Sequence, residues 1–500
     1  MKVSSIKKKI ILLLASVLTL FLFLACDTPT PESQESWAKI FTSLPAMNPG
    51  SLRCSTMKNG GFIVRQYDFN EDAALLKIDT TGAILWQKKY DMKISNVLPI
   101  ENAEHTAFIC IGQDRSSADQ RSCLMKIDGD GRVIWKKSYG TPYPLWLRDM
   151  ALSNTGDTIL IAGYDNSIDS IEAPGMRYAK IGPDGQILWE KTFAFLNGYD
   201  PSIAPTSDGG AFIWQTLTGA DHLIAKTDPN GQILWSKSYR MEGGSANLTG
   251  ENQYENWSDL EPSNDGGCVV TGFSENDTHG VVWVMKLNDS GKKVWASEFA
   301  PFFSTFSSTP TVQKDVSYQP MDICTTQDGG YAVLGSYADY QYIDYLLTLH
   351  TIEKHAGWIV KLDAQGNIAW QKAYEDQFKS LGPIYRVVGD DYGSRLYSYR
   401  INSLTVWNLD ESADGGLVFT GYIYPEIDLD TQPEEGNFIV KTDSEGNIAN
   451  SSLIVKKTKA ENGSIDVISQ DVNIEPSDGS STVCELTSSV SEAMISVSDL

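Results

Sequence analysis

The chain has 500 residues, with 64 acidic and 40 basic side chains, a formal net charge of −24 and five histidines. This charge argues against a broad nucleic-acid-binding surface, which needs clustered lysine and arginine. The few histidines disfavour histidine-based zinc or acid–base chemistry. The 41% apolar fraction is enough for a sizeable core.

The N-terminus has the pattern of an export signal. Basic residues precede an uncharged apolar run of 16 residues, from Ile10 to Ala25, which is short for a membrane span. The run ends in Phe23-Leu24-Ala25-Cys26, which resembles the lipobox of bacterial lipoproteins, although that family usually has Leu in place of Phe23. The resemblance implies cleavage after residue 25 and lipidation of Cys26. We expect a signal peptide over residues 1–25 and a lipidated, polar tether over 26–36. The lipid would hold the protein on a membrane of the cell envelope, outside the cytoplasm, facing the periplasm or the medium.

Internal repetition predicts the fold of residues 37–455. One phrase, typified by KIDTTGAILWQKKY from Lys77, recurs seven times, and each copy follows a phrase typified by DGGYAVLG from Asp328. Alternating runs rich in Val, Ile, Trp and Tyr predict strands, and the D-x-x-G and D-G-G elements predict tight turns. Four strands per unit and seven units predict an all-β fold, a seven-bladed β-propeller with four-stranded antiparallel blades.

The repeated phrase carries a Trp-x-Lys-x-aromatic stripe on one face of its last strand. Because it recurs from unit to unit, we interpret it as packing between blades, with the lysine stem lying along the rings, rather than as a cofactor site. Its tryptophans are Trp86, Trp135, Trp189, Trp235, Trp295 and Trp370. The segment from Trp37 to Phe41 has the same strand ending, whereas the last copy, from Lys441, lacks its Trp. We therefore expect the N-terminal strand to complete blade seven.

These repeats resemble quinoprotein-type (PQQ-like) propeller repeats, and most of all the DGG…K-x-D-x-x-G-x-I-x-W-x-K repeats of exported bacterial proteins. The resemblance implies the fold and says little about activity. PQQ dehydrogenases typically have eight blades, a vicinal disulfide and Ca²⁺ ligands. This sequence has seven repeats and no Cys-Cys pair, so we expect no cofactor.

Two segments, one acidic and one containing histidines, are candidates for metal sites. The segment from Asp128 to Gly131 begins like a calcium loop but lacks its final Glu, and His350, Glu353 and His355 do not match a zinc motif. We interpret them as a turn and a solvated loop, with no metal. Cys110 and Cys123 fall on strands expected to be neighbours, so they are the best disulfide candidates, with buried free thiols as the alternative.

The longest connections fall in the late blades, over residues 301–320, 336–357, 375–406 and 422–436. Tyrosines and acids in these predicted loops suit recognition of a protein or glycan, because Tyr contributes a large contact area at low entropy cost. The alternative is that these are tolerated insertions that pack on themselves. The candidate contact residues are Tyr340, Tyr342, Tyr345, Tyr385, Asp390, Asp391, Tyr392, Tyr397 and Tyr399.

The sequence favours a non-catalytic binding or scaffolding propeller that is monomeric, is attached to a membrane through its lipid and binds an unknown protein or glycan but no nucleic acid. The alternative is an enzyme acting on glycans or small molecules at the loop-rich face. Convergent carboxylates in the central channel would favour the enzyme, and a Tyr-rich rim would favour the binder. The acidic, Ser-rich residues 456–500 form either a flexible tail or a weakly paired extra hairpin.

Overall fold

The computed structural model describes the strands of the repeats and most of the turns between them. Its residues are 36–42, 52–66, 74–101, 106–115, 122–139, 145–153, 156–165, 175–193, 198–217, 222–241, 257–275, 280–299, 312–345, 348–376, 386–389, 395–401, 403–424, 436–449, 453–457, 462–464, 467–471, 477–478, 483–485, 490–492 and 496–499. The predicted signal peptide, Cys26 and residues 26–35 of the tether lie outside these residues. Within the described part of the chain, no helix is long and apolar enough to span a membrane.

The strands form seven sheets, which are the blades of a propeller with four-stranded antiparallel blades, as predicted, and one additional parallel pair lies in the sheet of blade 6. Blade 1 contains β2 (Leu52–Thr56), β3 (Phe62–Gln66), β4 (Ala74–Ile78) and β5 (Ile84–Tyr90). Blade 2 contains β6 (Met92–Glu101), β7 (Thr106–Asp114), β8 (Ser122–Asp128) and β9 (Val133–Tyr139). Blade 3 contains β10 (Leu145–Leu152), β11 (Ile159–Asp165), β12 (Gly175–Ile181) and β13 (Ile187–Phe193). Blade 4 contains β14 (Gly198–Pro205), β15 (Ala211–Leu217), β16 (His222–Thr227) and β17 (Ile233–Met241).

The late blades follow the same plan. Blade 5 contains β18 (Trp257–Pro262), β19 (Cys268–Glu275), β20 (Gly280–Leu287) and β21 (Lys293–Phe299). Blade 6 contains β22 (Val312–Thr325), β23 (Tyr331–Tyr345), β24 (Thr348–Leu362) and β25 (Ile368–Asp376), with β26 (Arg386–Gly389) and β27 (Arg395–Ile401) beside β24. Blade 7 contains β28 (Ser403–Glu411), β29 (Leu417–Tyr424), β30 (Gly436–Lys441) and the N-terminal β1 (Trp37–Thr42).

Blade 7 combines three strands from the last repeat with the N-terminal strand β1, as the sequence predicted. Strand β1 pairs antiparallel with β30, with Trp37 opposite Lys441 and Phe41 opposite Asn437. The innermost strands of successive blades contact one another, and β2 of blade 1 contacts β28 of blade 7. Seven buried apolar clusters lie one between each pair of neighbouring blades. The core of the molecule is therefore divided among seven seams around a closed ring.

The C-terminal segment adds a fifth strand to every blade. These strands are β31 (Leu453–Lys457), β32 (Asn462–Ser464), β33 (Val467–Asp471), β34 (Ser477–Asp478), β35 (Val483–Glu485), β36 (Val490–Glu492) and β37 (Ser496–Asp499). They pair in turn with the outer strands of blades 6, 5, 4, 3, 2, 1 and 7. The flexible tail and the single extra hairpin considered from the sequence do not describe this arrangement, in which the segment follows the rim around the ring.

The D-x-x-G turns have the conformation that their residues predict. In the turn from Asp363, the carboxylate Oδ1 accepts hydrogen bonds from the amides of Gln365 and Asn367, at 2.9 and 2.8 Å. Gly366 has φ of +84°, which a residue with a Cβ adopts only under strain. Hydrogen bonds to the ionised form lower the pKa of Asp363.

Candidate functional site

The tryptophan stripe lies between neighbouring blades. Between blades 1 and 2, Trp86 Nε1 donates to the carbonyl of Gly129 at 3.0 Å and the Tyr90 hydroxyl donates to the carbonyl of Gly131 at 2.8 Å. Trp135, Trp189 and Trp235 donate in the same way to the next blade, and Trp370 packs against Gly446 of blade 7. The lysine of the stripe lies along the tryptophan ring, as expected. In blade 2, the ammonium of Lys137 lies 5.8 Å from the Trp135 ring centre. These residues hold the ring together.

The seam between blades 5 and 6 departs from this pattern. Trp295 Nε1 is buried and has no hydrogen-bond partner in the described part of the chain. Phe299 occupies the position of Tyr90 and has no hydroxyl to donate. A cavity of about 170 Å³ lies beside Trp295, and its wall includes Lys286 and Tyr331. Apolar side chains of the two blades pack together along this seam.

Blade 6 carries a sheet that extends beyond the other blades. Strands β23 and β24 each have 15 residues, whereas the corresponding strands elsewhere have five to nine. The parallel neighbour of β24 is β27, which in turn pairs with β26. The interpretation of residues 336–357 as a loop is therefore wrong. Residues 337–356 contain neither Gly nor Pro and include four Tyr, two Ile and two Thr, residue types that favour extended strands.

The register separates the candidate tyrosines onto two faces of this sheet. Tyr397 lies opposite His350 and Tyr399 opposite Ile352, while His350 lies opposite Ile343 on the other side. Since directly paired residues share a face and residues two apart along a strand do too, Tyr345 belongs to this same face. Tyr340 and Tyr342 belong to the other face, where they are paired with Glu353 and Thr351. Tyr385, Asp390, Asp391 and Tyr392 lie outside the described residues.

A ring of polar residues that the sequence analysis missed lines the central channel. Asp322 Oδ2 of blade 6 accepts hydrogen bonds from Asn408 Nδ2 and the Leu409 amide of blade 7, at 3.0 and 2.7 Å. Asp410 Oδ2 likewise accepts from the amide and hydroxyl of Thr56 in blade 1, at 2.9 and 2.7 Å. These carboxylates bridge the innermost strands of neighbouring blades. Asp149 does the same between blades 3 and 4, through the Ile203 amide and the Ser202 hydroxyl.

Three of the channel acids lie close together on blades 5 and 6. Burial raises the pKa of Asp259 well above its usual value, and the charge of its hydrogen-bond partner Asp322 raises it further. Burial also raises the pKa of Glu261, with added repulsion from Asp322 and Asp410. The signal was present in the sequence, since Asp259 and Asp322 each lie six residues before the Asp of a D-G-G turn. Single positions of this kind become meaningful only when the blades are arranged in a ring.

The two segments considered for metal binding have ordinary backbone roles. Asp128 Oδ1 accepts hydrogen bonds from the amides of Asp130 and Arg132, at 2.9 and 2.8 Å, as in the other D-x-x-G turns. His350, Glu353 and His355 lie on β24, so the expected solvated loop is a strand. Among the described residues, no group of three or more His, Cys, Asp or Glu is arranged to hold a metal ion.

Cys110 and Cys123 are buried free thiols, which was the alternative to a disulfide. They lie on the neighbouring strands β7 and β8, as expected, but two positions out of register, with Cys110 opposite Met125 and Cys123 opposite Gly112. Burial raises the pKa of Cys123 to about 12 and raises that of Cys110 as well. Burial thus favours the neutral thiol over the nucleophilic thiolate at both positions.

No protein-family model and no curated protein matches this chain. Solved structures that resemble it include the Dos1 propeller, with 12% identity and a TM-score of 0.35, over 57% of this chain and 64% of that one. A Mycobacterium tuberculosis puromycin-hydrolyzing peptidase is similar at 14% identity and a TM-score of 0.35, over 78% of this chain and 62% of that one. The chain thus spans less than two thirds of either protein. At such identities the similarities carry no information about function.

Proposed function

We propose that this protein is a lipid-anchored scaffold of the bacterial cell envelope, whose propeller binds a partner through the extended sheet of blade 6. The observation that carries the proposal is the length of β23 and β24, which continue for several residues beyond the ends of the corresponding strands. Rigid scaffolds commonly present binding residues on such projections.

The two faces of the sheet suit different environments. One face carries Ile343, Tyr345, Ile352, Tyr397 and Tyr399 together with the polar Gln341, His350 and Lys354, and the other pairs its tyrosines with Thr351 and Glu353. Aromatic and aliphatic residues together are typical of the buried centre of a protein interface. This composition favours a protein over a glycan as the partner of the first face.

The test compares two matched double variants of the full chain in intact cells. Tyr397→Ser with Tyr399→Ser alters the aromatic and aliphatic face, and Tyr340→Ser with Tyr342→Ser removes the same number of rings from the opposite face. After crosslinking and affinity purification, we expect the first variant to lose a partner that the wild type and the second variant retain. Identical partner lists for all three proteins would refute the proposed surface.

The lipid anchor rests on the signal-like N-terminus and Cys26. We expect the wild-type protein to incorporate an alkyne-labelled fatty acid and to fractionate with membranes. Cys26→Ser removes the acceptor thiol, so it should abolish the label and release the protein from the membrane fraction. Equal labelling of the two proteins would exclude Cys26 as the attachment site.

A catalytic function is the second candidate, and Glu261 is the observation that favours it. This side chain is partly open to the channel while its pKa is raised, which is the property of a general acid. Its neighbours Asp322 and Asp410 are already engaged in bonds between blades. Hydrolysis of aryl glycosides by the wild type, with loss in Glu261→Gln, would support an enzyme. Turnover that is absent from the wild type or unchanged in the variant would argue against it.

A further inference from the structure

The outer strands of the seven blades present an edge that the chain's own C-terminal segment covers. Each of β31 to β37 pairs antiparallel with one outer strand, over two to five residues. An uncovered row of seven strand edges would be a template for pairing with other chains. The question is what fixes the segment in register at every blade.

The segment contains one acid every seven residues from Asp471 onward. The series is Asp471, Asp478, Glu485, Glu492 and Asp499. Seven extended residues span about 23 Å, enough for a short strand and the step to the next blade. The seven-residue spacing therefore corresponds to one blade per repeat.

Each acid of the series lies directly opposite the lysine of a Trp-x-Lys stripe. The pairs are Asp471 with Lys237, Asp478 with Lys191, Glu485 with Lys137, Glu492 with Lys88 and Asp499 with Lys39. Directly opposite positions of antiparallel strands place side chains on one face, where opposite charges attract. Five of the seven blades follow this rule.

The two remaining blades have no acid opposite the stripe position. Blade 5 has no lysine there, and in blade 6 the lysine bonds to blade 7. In blade 5 the lysine of the stripe is replaced by Ser297, and the segment has Ser464 opposite it. In blade 6, Lys457 lies opposite Lys372, but the ammonium of Lys372 already donates to the Glu445 carbonyl and to Asn447 Oδ1 of blade 7. The acid is therefore absent from the series where the lysine is absent or engaged elsewhere.

We propose that the outer rim is a docking surface for an acidic strand with one carboxylate every seven residues, and that residues 467–499 of this chain are its occupant. Backbone pairing supplies the attachment and the acid–lysine pairs select the register, since a one-residue shift would misplace all five pairs. The outer strands are thereby closed to other chains. This role is independent of the partner proposed for the extended sheet of blade 6.

The test measures amide hydrogen exchange in the full chain. One variant carries Asp471→Asn, Asp478→Asn, Glu485→Gln, Glu492→Gln and Asp499→Asn. Its control carries Glu461→Gln, Asp466→Asn and Glu475→Gln, which are the acids of the same segment outside the series. We expect exchange at β1, β5, β9, β13 and β17 to become at least tenfold faster in the first variant only. Equal exchange in both variants would overturn the proposal.

A single pair gives a second test that leaves the other four pairs intact. Lys191→Asp and Asp478→Lys should each raise exchange at β13, because each places like charges opposite one another. The double variant restores opposite charges in reversed order and should recover the slow exchange. A double variant that exchanges as fast as the sum of the single effects would show that no such pair exists.

Discussion

The seams between blades 1 and 2 and between blades 5 and 6 use the same positions of the repeat with different residues. At the first seam, Trp86 and Tyr90 both donate hydrogen bonds across the seam, and Lys77 Nζ reaches the Gly129 carbonyl at 3.1 Å. At the second, Trp295 has no acceptor in the described part of the chain, and Phe299 has no hydroxyl.

The lysine at the position of Lys77 also behaves differently in the two blades. Lys286 turns back within blade 5 and forms a 2.8 Å ion pair with Asp265 of its own D-G-G turn. Blade 1 has Asn59 at that turn position, so Lys77 has no such carboxylate and reaches the next blade. The turn residue therefore influences the partners of this lysine without deciding them alone, since Lys226 of blade 4 pairs both with Asp208 of its own turn and with Asp289 of blade 5.

The largest expected effect on the free energy of unfolding comes from replacing the tryptophan of each seam with alanine. Trp86→Ala removes buried ring area and the bond to Gly129, so we expect it to lower the free energy of unfolding by about 3 kcal/mol or more. Trp295→Ala removes a similar ring but no hydrogen bond, and its cost should be smaller by about 1–3 kcal/mol. Urea denaturation of the two variants measures both values. Equal losses would contradict the distinction.

Asp259 and Asp322, at the inner end of the seam between blades 5 and 6, predict that the stability of the protein depends on pH. Asp259 has a raised pKa in the folded protein, so it keeps its proton as the pH rises above the ordinary value of 3.8, whereas the unfolded chain loses it. The contribution of Asp259 to the free energy of unfolding is therefore fully present below pH 3.8. It is lost as the pH rises through the pKa that Asp259 has in the folded protein.

Asp259→Asn removes this titration while keeping an amide that can donate to Asp322. We expect the variant to gain about 1–3 kcal/mol over the wild type at pH 7.5 and to lose that advantage near pH 4. Urea denaturation across this range is the measurement. Asp130→Asn, at an exposed turn carboxylate, is the control and should change little. A gain that does not depend on pH would refute the assignment.

A reciprocal change of one hydroxyl gives the smallest expected effect. Tyr90→Phe leaves the Gly131 carbonyl without its donor and should cost about 1 kcal/mol. Phe299→Tyr places a hydroxyl near the corresponding turn of blade 6 and should raise stability by up to about 1 kcal/mol. Thermal unfolding can resolve both shifts. Destabilisation by Phe299→Tyr would mean that the second seam has no room for the bond.

Much of the fold could be predicted because each feature of the propeller is repeated in the sequence. The turn residues, the Trp-x-Lys stripe and the lone strand at Trp37 each indicate their own place in the fold. The features that were missed occur where single residues from different units meet. Asp259 and Asp322 are 63 residues apart in sequence, and the packing of blade 5 against blade 6 makes them neighbours.

The extended sheet and the fifth strands of the outer rim differ from the sequence prediction for another physical reason. Long connections in propellers are usually loops, whereas residues 337–356 have the composition of strands. The C-terminal segment has strands of only two to five residues, too short to be recognised by alternation alone. Its seven-residue series becomes evident once the opposing lysines are known.

The central claim, a binding scaffold with its contact surface on blade 6, is tested most directly by photo-crosslinking in intact cells. A photoreactive amino acid replaces Tyr397 in one variant and Tyr340, on the opposite face, in another. The account predicts a discrete crosslinked protein at position 397 and none at position 340. No crosslink at position 397, or the same products at both positions, would contradict it.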